Sequence, residues 1–492
     1  MAIVCPAEAA VERLATGALG SLLPLAALDA ALASDARPRR SRKLPARFML
    51  LFCVLMNLYA DEALPHVLRR VAGYWGVGAG AEATAGALCQ ARYRLGARPV
   101  VALFRRLCRP LATPAMPGAF LFGLRLLALD GSHLDLPDTP ANARAFGRRP
   151  TPRGRSAWPQ ALVVLLVECG TRAVCDAGVW PGLADERRAG RRLLRSAGPG
   201  TLVLWDRGFQ NVAMVEAARR RGADFLGRLP ATVRPVPERA LADGTLLVRL
   251  RPFDHPRRRQ GAHVVVRLIR YTLDDPQRPG HRVEHRLVTS LLDPCAAPAR
   301  ELIAAYHQRW QVESALGELK THQRPAQPLR SRKPLGVVQE IYGLLVAHYL
   351  LRAAMAQAAA ATRSPLRLSF VGTLRLIRDL LPLAQLRGRR ARRAFYRRAL
   401  HAIAGQVLPR RPERSNPRVL KQKMANFRVK TAAHRRWPQP TKPFADAIVL
   451  LIYPTFARNG GISGACAITL TGRSRLAPLI CPVSLYERRQ AR

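Results

Sequence analysis

Residues 306–324 read YHQRWQVESALGELKTHQR, and the charges in this stretch decide how the rest of the chain is read. Counted from Tyr306, Arg309, Glu313 and Lys320 lie 3, 7 and 14 residues on. At about 100° per residue of helix, all four fall within roughly 60° of one another. A plain surface helix would explain Arg309 and Glu313 as an i,i+4 pair worth a few tenths of a kcal/mol. Lys320 fits that reading poorly, because only 7 of the 80 basic residues are Lys. A carboxylate flanked by a guanidinium and an ammonium suits phosphate chemistry better, provided other acids stand nearby.

Two such acids precede it. GLRLLALDGS (123–132) is an apolar strand closing on Asp130, and TLVLWDRGF (201–209) is a second closing on Asp206. Between them ALVVLLVECG and RAVCDAGVW read as strands and ADERRAGRRLLRS as a helix; NVAMVEAARRRG and ADFLGRLP then add a helix and a strand. The unit is mixed α/β. Asp135 and Asp138, in LDLPDTP, read as turn or cap residues. Glu313 follows Asp206 by 107 residues and Asp130 by 183, on a helix able to pack beside those strand ends. Two Asp and one Glu are the hard oxygen ligands that Mg²⁺ takes, with Mn²⁺ as the alternative. Two ions in one active site clamp the attacking and leaving oxygens of an in-line phosphoryl displacement. Arg309 would grip phosphate as a fork and Lys320 as a point charge. Tyr306 would hydrogen-bond a phosphate or stack on a base.

Composition points to the same partner. The formal charge of +48 repels itself unless a polyanion neutralises it, so nucleic acid is expected. An Arg-biased genome explains part of the excess, but not why only 32 Asp and Glu accompany it. Nine cysteines without a C-x-x-C pair argue for a reducing compartment and against structural zinc. MAIVCPAEAAVERL has no signal-peptide pattern. The apolar runs near 48–56 and 161–167 fall short of the ~18–20 residues of a membrane span. A cytoplasmic, nucleoid-associated protein with no membrane segment is expected.

Residues 9–110 read as helical, broken by the basic RPRRSRKLPAR. Two helical stretches meet near Gly96, where Arg92, Arg94 and Arg98 cluster. They are candidate DNA contacts if the joint is a helix-turn-helix, or the wet face of a helical hairpin if it is not. From 231 to 295, TLLVRLRPF, HVVVRLIRYTL and HRVEHRLVTSLL alternate apolar with basic residues, predicting antiparallel strands with one wet face. Helices resume at 299–322 and 334–361; beyond about 387 the chain is Arg-rich and poorly periodic, and its apolar tail (443–492) has no assignable fold.

The order Tyr-x2-Arg-x3-Glu-x6-Lys, with LALDGSHLDLPDTPANARAFG and LWDRGFQN upstream, resembles the signature of DDE transposases of the insertion-sequence-4 family. The likeness spans roughly residues 9–440. It implies an RNase H-like catalytic domain with a β-strand insertion, preceded by an all-α N-terminal domain and followed by a basic helical C-terminal region. The corresponding boundaries are 1–115 for a helical DNA-binding domain, 120–230 and 298–385 for the catalytic domain, 231–297 for the insertion, and 386–492 for the basic region and tail. It further implies cut-and-paste movement of an insertion sequence by Mg²⁺-dependent cleavage and strand transfer. The partners would be double-stranded DNA, as element terminal inverted repeats and target, and further copies of the chain in a homo-oligomer. Asp130, Asp206 and Glu313 would be the catalytic metal ligands. Some members form a DNA hairpin with the help of a Trp in the insertion; none occurs here between Trp205 and Trp310. A second reading is a catalytically silent, transposase-derived protein that occupies element ends.

Overall fold

The computed structural model describes residues 22–35, 44–73, 83–151, 154–251, 263–278, 280–324, 328–359, 364–381, 389–409, 419–420, 428–429 and 431–452. The expected helical start at residue 9, most of the basic RPRRSRKLPAR and KQKMANFRVK runs, and the tail beyond 452 lie outside them.

Among the described residues five helices come first: α1 (Leu25–Ala33), α2 (Ala46–Leu55), α3 (Leu64–Gly73), α4 (Ala85–Leu95) and α5 (Arg98–Leu107). In α2 every side chain from Phe48 to Leu55 is buried, as an unbroken apolar run demands of an interior helix. The Thr84 hydroxyl accepts from Ala87 N and starts α4, and Gly96 at φ 77° ends it.

Next come β1 (Leu124–Asp135), α6 (Pro140–Phe146), β2 (Gln160–Glu168), β3 (Val174–Pro181), α7 (Glu186–Leu193), β4 (Thr201–Trp205), α8 (Val212–Arg220) and β5 (Asp224–Arg228). The segment expected to be an insertion supplies β6 (Val236–Ala240), β7 (Leu246–Leu250), β8 (Val264–Leu273) and β9 (His285–Thr289). Then follow α9 (Ala299–Tyr306), α10 (Trp310–Gly317), α11 (Pro334–Ala358), α12 (Phe370–Leu380), α13 (Arg389–Ala404) and β10 (Ile448–Leu450). All the strands named join one eleven-stranded sheet in the order β3-β2-β1-β4-β5-β9-β8-β7-β6, with Phe120–Leu121 beside β1 and β10 beside β8. β1, β4 and β5 run parallel; β2, β3 and β6–β9 are antiparallel to their neighbours.

The insertion strands therefore extend the same sheet. Their expected wet face is corrected at β8, where Arg267 is fully buried and donates to Thr245 Oγ1, Asp243 Oδ2 and Ala297 O. A guanidinium with several acceptors is tolerated inside, so alternation alone did not mean solvent. The Arg-rich segment after 387 forms α13, and within the unplaced tail Ile448–Leu450 pairs with β8.

A core cluster lies on each face. One runs from the N-terminal helices through Leu126, Ala128, Leu202 and Leu204 to α11; the other joins Leu127, Leu129, Val203 and Trp205 to α7, α8 and the insertion strands. α11, expected as the helix at 334–361, would by length and composition alone suffice for a membrane span; here most of it is buried within the fold. At its crossing with α2, a Cβ on Gly343 would collide with the carbonyl of Cys53. Helix propensity alone favours Gly343→Ala by ~1 kcal/mol, whereas overpacking costs about 1–3 kcal/mol. The variant is expected to unfold at lower urea concentration than the parent; a higher midpoint would exclude this close approach.

Candidate active site

Register brings the two aspartates together. β1 and β4 pair in parallel from Arg125↔Thr201 to Ala128↔Leu204, where pairing stops. Asp130 lies two residues past Ala128 and Asp206 two past Leu204, so the two stand near one level, Asp130 within β1 and Asp206 just past the end of β4. Side chains alternate with period two along a strand, which turns Asp130 toward the face of Ala128. The strand was expected to close on Asp130. Instead β1 continues five residues further, held by β2 as far as Asp135↔Gln160. Asp130 is thus fixed mid-strand where its parallel neighbour has ended, leaving one flank open.

Asp130 accepts from its neighbour Gly131 N at 2.8 Å. Its carboxyl is pushed up to about 7, chiefly by burial; the Gly131 bond opposes this, Asp206 adds to it, Arg309 opposes it and Glu313 adds to it. Asp206 caps its own turn, accepting from Gly208 N at 2.8 Å and Phe209 N at 3.3 Å.

The helix read from 306 onward is not uniform. α9 passes through a 3₁₀ turn at His307–Arg309 into α10, and Glu318–His322 is a π turn, a feature frequent at functional sites. The four stripe residues nevertheless face the β1–β4 boundary. Tyr306 Oη donates to Trp205 O at 3.2 Å, the residue before Asp206. Arg309 donates to Glu313 Oε1 at 2.8 Å, and Lys320 Nζ to Ser132 Oγ at 3.0 Å, two residues past Asp130. Burial pushes the Tyr306 hydroxyl far above the usual range, so it stays protonated as a donor. Tyr306→Phe is expected to cost about 1 kcal/mol, read as a lower unfolding midpoint, through the loosened Trp205–Asp206 backbone; no change would remove the strut.

Of the N-terminal candidates, Arg94 and Arg98 are exposed. Arg92 is corrected: it is 3% exposed and donates to Ser331 Oγ and Gly336 O, locking α4 to the start of α11. It has no route to a DNA phosphate.

Sequence reasoning missed Glu318. Five residues beyond Glu313, it falls about 140° away on an ideal helix, outside the stripe. It accepts from Arg172 Nη1 at 2.9 Å, His348 Nε2 at 3.0 Å, and both Nε and Nη2 of Arg352. Arg172 reaches it from a turn at φ 58° and also donates to Gln311. The helix is thus riveted away from the stripe of Tyr306, Arg309, Glu313 and Lys320.

The donor set fits a hard divalent cation: three carboxylates converge electrostatically, two of them with little beyond backbone N–H groups as partners. Among the described residues, no three acidic, His or Cys side chains already stand at metal-cage spacing; Glu313 is drawn onto Arg309. Mg²⁺ commonly takes only one or two carboxylates and completes its shell with substrate phosphate and water, so a closed cage is not required.

A strongly basic chain with Asp130 and Asp206 at the end of the β1–β4 pairing and Glu313 on the helix facing them, Arg309 and Lys320 alongside, has the equipment of a polynucleotide phosphoryl-transfer enzyme. The family model described as the transposase DDE domain matches residues 121–350, and that of the insertion element 4 transposase N-terminal region matches 13–105. The transposase InsG for insertion sequence element IS4 of Escherichia coli (strain K12) is 31% identical over 414 residues, 82% of this chain and 88% of its own length. The putative transposase InsZ of the same organism is 28% identical over 194 residues, 39% of this chain and 63% of its own. A piggyBac transposase synaptic complex with hairpin DNA aligns with a TM-score of 0.40 and 11% identity, covering 82% of this chain and 85% of that one. The chain belongs to the insertion-sequence-4 family of DDE transposases, enzymes that cut and transfer DNA strands.

Proposed function

We propose that Asp130, Asp206 and Glu313 are the catalytic carboxylates and together hold two Mg²⁺ ions. When bound, the ions would supply Lewis-acid activation of a water, then of a 3′ hydroxyl, and neutralise charge on the phosphodiester. Asp130 and Asp206, fixed on adjacent strands, set one side of the site; Glu313 closes it from α10 after exchanging its bond to Arg309. Arg309, released by that exchange, forks onto a DNA phosphate. Lys320 lies along β1 at Ser132 and takes a second phosphate as a point charge. Tyr306 holds the backbone leading into Asp206.

The substrates are the element's terminal inverted repeats and target duplex, held by a homo-oligomer on the nucleoid, with Arg94 and Arg98 as N-terminal phosphate contacts. The core is an RNase H-like unit interrupted by β6–β9 and flanked by the all-α N-terminal domain and the basic C-terminal helices. One observation carries this reading: the β1–β4 register that sets Asp130 and Asp206 side by side, facing the helix of Glu313. The test is incubation of the full chain with duplex bearing its own terminal repeats, with Mg²⁺ or with chelator. Repeat-dependent nicking that vanishes on chelation is expected; cutting that ignores chelator would overturn the assignment.

A further inference from the structure

Glu186, the first residue of α7, has no part in the site as built so far. It approaches from the opposite face of the sheet. A Cβ on Gly131 would collide with Glu186 Oε1, so the carboxylate lies directly against β1 at the residue after Asp130. Glycine is what opens the strand to it. The start of α7 is tied to the Asp206 turn: Arg187 Nε donates to Gly208 O at 2.8 Å, and a Cβ on Gly190 would come within 2.7 Å of the Phe209 ring. Asp185 caps the helix by accepting from Arg187 N at 2.9 Å, which frees Glu186 from capping duty. Among the described residues, Glu186 accepts no hydrogen bond and forms no ion pair; burial and the charge of Asp206 disfavour its ionised form, and the Arg149 guanidinium opposes them. An unpaired, half-buried carboxylate beside others of like sign destabilises the fold unless something positive joins it.

We infer that Glu186 is a fourth carboxylate of the active site, sharing one divalent cation with Asp206 from the α7 face while Glu313 serves from the α10 face. Gly131 is the gap through which it reaches. The inference rests on the carboxylate site proposed above. It also explains why the acid of the first strand is followed directly by a residue without a side chain.

The test is titration of the full chain with Mn²⁺ alone, following free Mn²⁺ by electron paramagnetic resonance, for the parent and for E186Q, G131A and D206N. In E186Q the more weakly held ion should lose about tenfold or more in affinity while the tighter ion is retained. G131A should give the same loss with no charge removed, because its methyl displaces the carboxylate. In the absence of metal, E186Q should be at least as resistant to urea as the parent, whereas loss of a merely structural residue would lower resistance. Parental Mn²⁺ binding in E186Q alongside weakened binding in D206N would overturn the role of Glu186 alone. Parental binding in both would overturn the carboxylate site and this inference with it.

Discussion

Glu313→Gln is expected to suppress strand cleavage by on the order of 10³-fold or more while DNA binding stays within a few-fold. The two side chains have nearly the same shape, so Gln can keep a hydrogen bond to Arg309, which Glu313 now meets at 2.8 Å. What disappears is the charge that would hold a cation against the scissile phosphate. Metal stabilisation of developing charge is worth several kcal/mol, and each 1.36 kcal/mol is tenfold in rate. Binding is a different matter, since it draws on a surface carrying a net +48 that one neutralised acid barely alters. The measurement pairs a nicking assay in Mg²⁺ with a gel shift in chelator. Near-parental cleavage would remove Glu313 from the chemistry, and loss of both activities would indicate a structural residue.

Glu318→Ala is expected to be the most destabilising single change in this helix, at about 3–5 kcal/mol, because it leaves the buried Arg352 guanidinium without its counter-charge and the buried His348 without its acceptor. Arg352 and His348 are buried, and both direct their donors at this one carboxylate. Burial by itself would raise the Glu318 carboxyl, but Arg352, His348 and Arg172 outweigh it and hold the carboxyl well below the usual range. Burial likewise lowers His348, which fits a neutral ring donating through Nε2. The sign for pH follows. A carboxyl depressed in the folded state stabilises fully above its unfolded value of about 4.3 and loses that contribution as pH falls toward its folded value. The gap between parent and variant in urea unfolding should therefore be constant near neutrality and narrow only in acid. A gap below about 1 kcal/mol at pH 7 would show that the network is not holding the helix. Because Glu318 anchors the turn between Glu313 and Lys320, the variant should also lose cleavage under conditions where it remains folded.

Much of the proposed site was legible because it is written in residue types that local periodicity can place. The stripe of Tyr306, Arg309, Glu313 and Lys320 follows from helical spacing, and the apolar runs before Asp130 and Asp206 read as strands. The 3₁₀ and π turns did not spoil the stripe: Tyr306 at one end bonds to β4 at Trp205, and Lys320 at the other bonds to β1 at Ser132. Arg92 and Arg267 were misread for one reason: a guanidinium in sequence carries no mark of whether carbonyls or water will surround it. Glu186 could not be found by spacing, because its importance depends on a missing side chain at Gly131 across the sheet.

By itself the sequence determined the chemical inventory: three acids in order, an Arg and a Lys at helical spacing from the third, and a net charge of +48. These are properties of residue identity and short-range geometry, which a chain carries before it folds. Only the tertiary structure decided that Asp130 and Asp206 stand level, through a parallel register ending at Ala128↔Leu204. Only it decided that Glu318 is held by Arg172, His348 and Arg352, and that Glu186 lies against β1 at Gly131. Those outcomes depend on contacts between residues tens to hundreds of positions apart, fixed by packing two cores against one sheet.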